Sequence, residues 1–464
     1  MRVRRGIVLI MAFALLAAAC GERGEDASDG AGGGDVGSVT TAASDGDSVG
    51  DYGSFEGACG PNEGGGAVAD APPEEIQGVS EDTINIGTVS DPGFEGRPGL
   101  NIELHDAATA FVQWCNEAGG INGKQVELTL YDAAINSYQP EVEAACENEF
   151  ALVGSGAVQD NLWPTVGAAC DLIDAAGFSV TPEKAGQAGQ DPTETRTFQP
   201  VPNPSDQFPG AANVILLDDF SGSGERTGII NADLATLIVQ AEKQTEGEEA
   251  LGQTLVHTDV YNILGEANWT PFATSIRDAD VSFLSFVGEG DNLALLQQAL
   301  QEVGYKPEVT FQEANFYAQS YVDAAGDAAD GTFVRLATWP FEEADQNPAT
   351  QLYLDTVEAT GGSIAGLGVQ ATSAWLLFAT LAADCDRDDD LTRSCVLEGA
   401  AATDTWDGGG LHTVTNPGAN EIPECVIVMQ VEGDGFARYA PTDEDYACPE
   451  DSVIDLTGDF SSSG

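Results

Sequence analysis

Apolar and polar positions first become periodic at Thr83. Thr83-Ile84-Asn85-Ile86-Gly87-Thr88-Val89 alternates at the two-residue period of a strand. A glycine-rich loop over 90–99 follows, and then Leu104, Ala108, Phe111, Val112 and Cys115 recur at helical spacing. Gly119-Gly120 ends that helix where a left-handed cap is needed, Asn122-Gly123 turns the chain, and 126–131 predicts a second strand. A helix over 141–149 and a strand over 151–153 complete a β-α-β-α-β rhythm, which predicts a parallel sheet with helices on both faces. The rhythm restarts with strands over 227–231, 253–257, 281–287, 309–311 and 332–336, and helices over 234–243 and 292–303. Two such α/β units predict two Rossmann-like lobes with parallel central sheets. Helices over 349–360 and 369–383 follow, and 425–431 with 436–439 around Gly433-Asp434-Gly435 reads as a hairpin.

The N-terminus follows a different pattern. Arg2, Arg4 and Arg5 precede an apolar run from Gly6 to Ala19, the layout of a secretory signal. At roughly 14 residues that run is too short to span a bilayer permanently. Ala17-Ala18-Ala19-Cys20-Gly21 resembles a bacterial lipobox, with Ala17 where leucine is usual. The resemblance implies a signal peptide over 1–19 and a diacylglycerol on Cys20. From 20 to 80 the sequence is acidic and rich in Gly and Ser, which predicts a disordered tether. No later stretch reads as long and apolar enough to cross a membrane.

Charge then narrows the function classes. The 464 residues hold 16 Lys+Arg against 77 Asp+Glu, a net charge of −61, and the only lysines are Lys124, Lys184, Lys243 and Lys306. Nucleic acid is excluded as a partner, because phosphate contacts need a basic surface. The acid coat reads as solvation. If Cys20 carries lipid, eight cysteines remain, an even number that suggests disulfides in an exported chain.

Ile86-Gly87-Thr88, the glycine-rich loop, a helix, Asn116-Glu117-Ala118-Gly119-Gly120-Ile121-Asn122-Gly123-Lys124 and a strand ending Tyr131-Asp132 together resemble the Leu/Ile/Val-binding type of periplasmic solute-binding protein. Val322-Asp323-Ala324-Ala325-Gly326, Pro340-Phe341-Glu342-Glu343 and Trp406-Asp407-Gly408-Gly409-Gly410 resemble later family segments, in family order. The resemblance implies two lobes joined by a three-segment hinge near 199–206, 335–341 and 411–417. Lobe one would hold 82–202 and 340–410, and lobe two 203–336 and 415–450, with 451–464 a flexible tail. It also implies a ligand in the cleft where strand carboxyl ends face each other, and closure by a hinge motion.

Ligand residues are expected on both walls. From lobe one, Phe94 and Arg97 follow the first strand beside Asp91, and Val158 and Gln159 follow the third. There the family implies a helix N-terminus that holds a ligand carboxylate, although Val158 stands where the family has serine. Thr181 and Lys184 follow the fourth strand, and Lys184 reads either as a ligand contact or as an ion pair with Glu183 or Asp174. From lobe two come Asp233, Glu289, Asn315, Phe316 and Tyr317, with Asn315 or nearby Glu313 where the family grips an ammonium group. The ordinary reading of Phe316 and Tyr317 is core packing.

With sheet order 2-1-3-4-5 and right-handed crossovers, the second and third helices share a face, which favours Cys146–Cys170. Cys115 on the first helix would then meet Cys59 from the tether's end, Cys385–Cys395 would close a short loop and Cys425–Cys448 would brace the C-terminal hairpin, one of 105 possible arrangements.

Rival chemistries find little in the sequence. The histidines are His105, His257 and His412, with no H-E-x-x-H and no G-x-S-x-G, so no enzyme is expected. Asp384, Asp386, Asp388 and Asp390 resemble the start of a calcium loop, but lack its glycine and its final Glu, and read as a solvated acidic loop with no metal. No cofactor is expected. The reading is a monomeric lipoprotein on the outer face of the cytoplasmic membrane that hands a small polar solute to an ABC permease. The solute would be an amino acid of branched-chain type, or a related amide or carboxylate. A ligand-sensing receptor module signalling through a separate membrane partner is the alternative.

Overall fold

The structure is a computed structural model and describes residues 50–460. The signal peptide over 1–19 and the lipid site at Cys20 lie outside the described residues. The segment expected to be a loose tether is packed from Gly50 onward, and includes the short helix α1 (Pro73–Ile76). Tyr52, Ala58 and Cys59 are buried in the core of the first lobe. Gly60 N–H donates to Gly120 O at 2.7 Å, and Lys124 Nζ donates to the carbonyls of Gly66, Ser80 and Glu81 at 2.8–2.9 Å. Few apolar residues suffice here, because a disulfide and a buried ammonium hold the backbone against the lobe.

Lobe one begins with β1 (Thr83–Ser90), α2 (Ile102–Ala118), β2 (Gln125–Asp132), α3 (Tyr138–Asn148), β3 (Ala151–Val153) and β4 (Ile173–Ala175). One-turn helices α4 (Pro182–Ala185) and α5 (Pro192–Thr195) lead to β5 (Thr197–Phe198). The five strands lie in the order β2-β1-β3-β4-β5, all parallel. The third helix, expected between β3 and β4, does not form. Two single 3-10 turns, Trp163–Thr165 and Ala168–Cys170, replace it. Pro164 lacks an N–H and Gly167 lowers helix propensity, so no α-helix propagates there.

The chain crosses to lobe two through β6 (Gln207–Pro209) and α6 (Ala211–Asp219). It continues as β7 (Thr227–Ala232), α7 (Ala235–Ala250), β8 (Leu255–Tyr261), α8 (Thr270–Asp278), β9 (Phe283–Val287), α9 (Gly290–Glu302), β10 (Val309–Gln312), α10 (Gln319–Ala325) and β11 (Thr332–Leu336). It then returns to lobe one for α11 (Pro348–Thr360), α12 (Gly366–Arg387) and α13 (Arg393–Ala401). The hairpin β12 (Ile427–Glu432) and β13 (Gly435–Ala440) adds two antiparallel strands to the second sheet, whose order is β13-β12-β11-β10-β9-β7-β8. The expected flexible tail is also tied down. β14 (Val453–Asp455) pairs with β6, and Leu456 and Phe460 pack on Phe208 and Val239.

α12 is long and apolar enough to cross a membrane, which the sequence reading did not register. It is buried instead as the central helix of lobe one, where Trp375 stacks on Phe111 of α2 at 5.5 Å. Gly154, with φ +69°, lets β3 end against this helix, because a Cβ there would lie 2.8 Å from Trp375 Nε1. The disulfides are Cys59–Cys115, Cys146–Cys170, Cys385–Cys395 and Cys425–Cys448. Cys146–Cys170 forms although Cys170 sits on a 3-10 turn rather than a helix.

Three segments cross between the lobes and bond to one another. Trp339 N–H donates to Leu411 O and Thr413 N–H to Ala337 O, both at 2.9 Å, and Thr415 Oγ1 donates to Pro200 O at 2.6 Å. The acidic run 384–390, which covers the last turn of α12 and the residues after it, is a loop only in part and only partly solvated. Asp386 is buried, accepts from Asn122 Nδ2 at 2.7 Å and lies 3.6 Å from Lys124 Nζ, and Asp389 accepts from Ala67 N–H at 2.9 Å. It docks the N-terminal segment.

Candidate functional site

The carboxyl ends of β1 and β3 in lobe one face those of β9 and β10 in lobe two across a cleft of about 840 Å3, its open mouth included. Lobe one contributes Asn101, Val158, Phe178, Val180 and Leu367. α7 contributes Leu237, Gln240 and Gln244, and the β9 and β10 ends contribute 285–289 and Phe311–Phe316 without Ala314. The walls are mostly apolar and aromatic. Toward the hinge a second pocket, lined by Asn203, Lys243, Arg335 and Gln370 among others, adjoins the cleft and shares Phe178, Gln240, Gln244 and Glu313 with it.

Arg97 reaches across the cleft. Its Nη1 pairs with Glu289 Oε2 of lobe two, and its Nε lies 3.5 Å from Asp291 Oδ2. Phe94 is buried beside this bridge and joins Leu100, Ile135 and Val158 in one apolar cluster with lobe-two side chains. The lobes therefore touch through both charge and packing.

The backbone donors expected to hold a ligand carboxylate are already occupied. Asp91 accepts from Val158 N–H at 2.7 Å and from Ile135 N–H at 2.6 Å. Burial pushes its carboxyl pKa up, against the pull of those two amides. Asp160 accepts from Thr181 N–H at 2.8 Å and Val180 N–H at 3.0 Å, and burial raises its pKa to about 6 despite Lys184 nearby. Both sets of amides thus serve the protein's own carboxylates.

The other expected site residues divide in the same way. Lys184 is buried away from the cleft lining, 2.6 Å from Asp174 Oδ2 and 5.3 Å above the Trp163 ring, so of its two readings the geometry gives the ion pair. Thr181 is buried and Gln159 half-buried, and neither lines the cleft. Asp233 is exposed and caps Ile263 N–H at 2.7 Å. Tyr317 stacks on Phe341 at 4.6 Å and its hydroxyl donates to Glu342 at 2.5 Å, which packs it against a crossing segment. Val158, Glu289, Asn315 and Phe316 do line the cleft. Asn315 Nδ2 donates to Gly288 O at 3.2 Å, and Phe316 meets Phe286 edge to face.

Sequence reasoning missed Phe178, Gln240, Lys243, Gln312 and Arg335. Only Lys243 carried a visible signal, as one of four lysines. Glu313, considered for an ammonium group, is paired instead with Arg335 at 2.5 Å.

Glu248 lies just behind the wall. It accepts from Ser285 Oγ at 2.6 Å and Gln244 Nε2 at 2.7 Å, and burial raises its pKa from 4.5 to about 7. A carboxyl more basic when folded keeps its proton after the unfolded chain has lost it. The stability it contributes is full below 4.5 and is lost as pH rises toward 7. Asp160 acts in the same direction up to about 6, while buried His412, lowered to about 4, opposes it as pH falls. The wild-type melting temperature should fall between about pH 5 and about pH 8, and Glu248→Gln should flatten that fall. An identical pH profile in the variant would show that Glu248 does not titrate in this window.

A family model described as "Periplasmic binding protein" matches residues 84–436. No curated protein matches the chain by sequence. Among solved structures, a fatty acid ABC transporter substrate-binding protein from Thermomonospora curvata superposes with a TM-score of 0.65 at 15% identity, covering 81% of this chain and 95% of that one. A leucine-binding protein from Thermotoga maritima gives 0.61 at 15% identity, covering 77% and 98%. A branched-chain amino acid transporter substrate-binding protein from Streptococcus pneumoniae, solved with isoleucine, gives 0.61 at 14%, covering 79% and 100%. At these identities the likeness is one of fold.

Proposed function

This chain belongs to the periplasmic binding protein family, and from that premise we propose that it is the solute-binding component of an ABC importer. It captures a small solute in the interlobe cleft and presents the closed form to permease subunits. The observation that carries this reading is a cleft bridged by Arg97–Glu289 above three mutually bonded crossing segments. A ligand touching both walls stabilises the closed form by differential affinity. The proposal includes lipidation at Cys20, a monomeric state, a place on the outer face of the cytoplasmic membrane, and no catalysis. Ser373 Oγ and His412 Nε2 lie 2.8 Å apart, but both are buried beside Trp406 and read as a core contact.

A thermal-shift screen of amino acids, amides and carboxylates tests the reading. A solute at 100 times its dissociation constant stabilises by about 2.7 kcal/mol. The hit should also lose uptake when the gene is deleted. Uptake that persists while a transcriptional response is lost would favour the sensing alternative.

The bridge gives a second test. Arg97→Ala should enlarge the radius of gyration of the unliganded protein in X-ray scattering and weaken the screened ligand on the order of tenfold. Superimposable scattering curves with equal affinity would remove the bridge from closure.

A further inference from the structure

The charges around the cleft leave one group without a counter-ion. Glu289 is paired with Arg97, and Glu313 with Arg335. Lys124 and Lys184 face Asp386 and Asp174, and Lys306 is exposed. Lys243 is buried in the second pocket, and among the described residues no carboxylate lies within ion-pair distance of it. Its Nζ donates to Pro204 O at 2.5 Å and stands 3.5 Å from Asn203 Oδ1, which leaves donor capacity unused. Burial lowers its pKa to about 8, with Glu313 and Asp206 pulling it up from a distance and Arg335 pushing it down. In a chain of net charge −61, a buried lysine that lacks an acid partner is an unusual expense.

The opposite ends of an amino acid find no such vacancy. The amides of Val158 and Thr181 serve Asp91 and Asp160, and both nearby carboxylates of lobe two are held by arginines. What remains is a mostly apolar cleft and, across the shared side chains of Phe178, Gln240, Gln244 and Glu313, an adjoining pocket whose lysine has no acid within ion-pair distance among the described residues.

Resting on the binding-protein reading, we propose that the ligand is an amphipathic monocarboxylate. Its apolar body lies between Phe178, Leu237, Phe286, Phe311 and Phe316, and its carboxylate sits on Lys243. Gln312, buried in the same wall with both side-chain amide atoms unpartnered among the described residues, is placed to meet a polar substituent on that body, which octanoate lacks. The ligand's charge thereby neutralises the one cation lining these two pockets that, among the described residues, has no carboxylate within ion-pair distance.

Isothermal titration of the full chain with octanoate, octanamide and leucine tests this. Octanoate should bind about tenfold or more tightly than octanamide, because only the carboxylate gains a charge-assisted bond, and leucine should give no binding heat. In Lys243→Gln the two amphiphiles should converge, with octanamide affinity retained as the sign of an intact cleft. Lys243→Arg should restore the preference. A preference for octanoate that survives Lys243→Gln overturns the head-group assignment. Binding of leucine, or of another screened solute, without either amphiphile overturns the ligand class and leaves the binding-protein reading standing. A chain silent to the whole solute screen overturns both.

Discussion

Lys184→Met should destabilise the protein by about 3–5 kcal/mol and leave its solute affinity unchanged. The substitution removes the only ammonium paired with Asp174 among the described residues, and that carboxylate is fully buried, so a charge is stranded in the core of lobe one. It also removes the cation from the face of Trp163. Denaturant midpoints give the stability, and titration with the solute found by screening gives the affinity. The double variant Lys184→Met with Asp174→Leu should recover most of the loss, because an apolar pair of similar volume carries no desolvation penalty. A single variant that unfolds normally but no longer binds would return Lys184 to the cleft.

Replacing Cys59 and Cys115 together by serine should cost about 4 kcal/mol, from the entropy of opening a loop with a sequence separation of 56. The bridge fixes the N-terminal segment to α2, and that segment has little else apolar to hold it. Tyr52 and Phe55 reach Trp114 and Trp406, and Ser54 N–H donates to Gly409 O at 2.9 Å. Limited proteolysis of the variant should therefore cut first between 50 and 66, before the lobes unfold. Equal resistance to protease and denaturant would mean that packing alone seats the segment. The other three bridges close shorter loops, with separations of 24, 10 and 23, and should each contribute less.

Much of the fold was legible because it is local. Alternation in 83–89 and helical spacing from Leu104 to Cys115 need no distant partner to be recognised, and both elements stand where the pattern puts them. The missing helix between β3 and β4 was also a local matter. Pro164 and Gly167 interrupt that segment, whereas the expected sheet order with its crossovers supplied a helix there without regard to them. The site was less legible. Residues that follow strands were found by position, and Val158, Glu289, Asn315 and Phe316 do line the cleft. Whether a charged group there is free or spent could not be read, since that depends on partners far along the chain. Arg97 meets Glu289 192 residues away, and Asp91 takes the amide of Val158 67 residues away.

The sequence by itself determined the periodic elements, the two-lobe α/β class and an acid balance that leaves few cations to place. It also favoured the disulfide pairing that forms, one of 105 arrangements, although Cys170 stands on a 3-10 turn rather than on the helix expected there. Only the tertiary structure decided that 50–80 and 452–460 are packed, that Lys184 is neutralised and that Lys243 is not. The physical reason is one of range. Backbone periodicity is fixed by neighbours three or four residues away, whereas the fate of a buried charge is fixed by whichever opposite charge or amide the whole fold brings within about 3 Å.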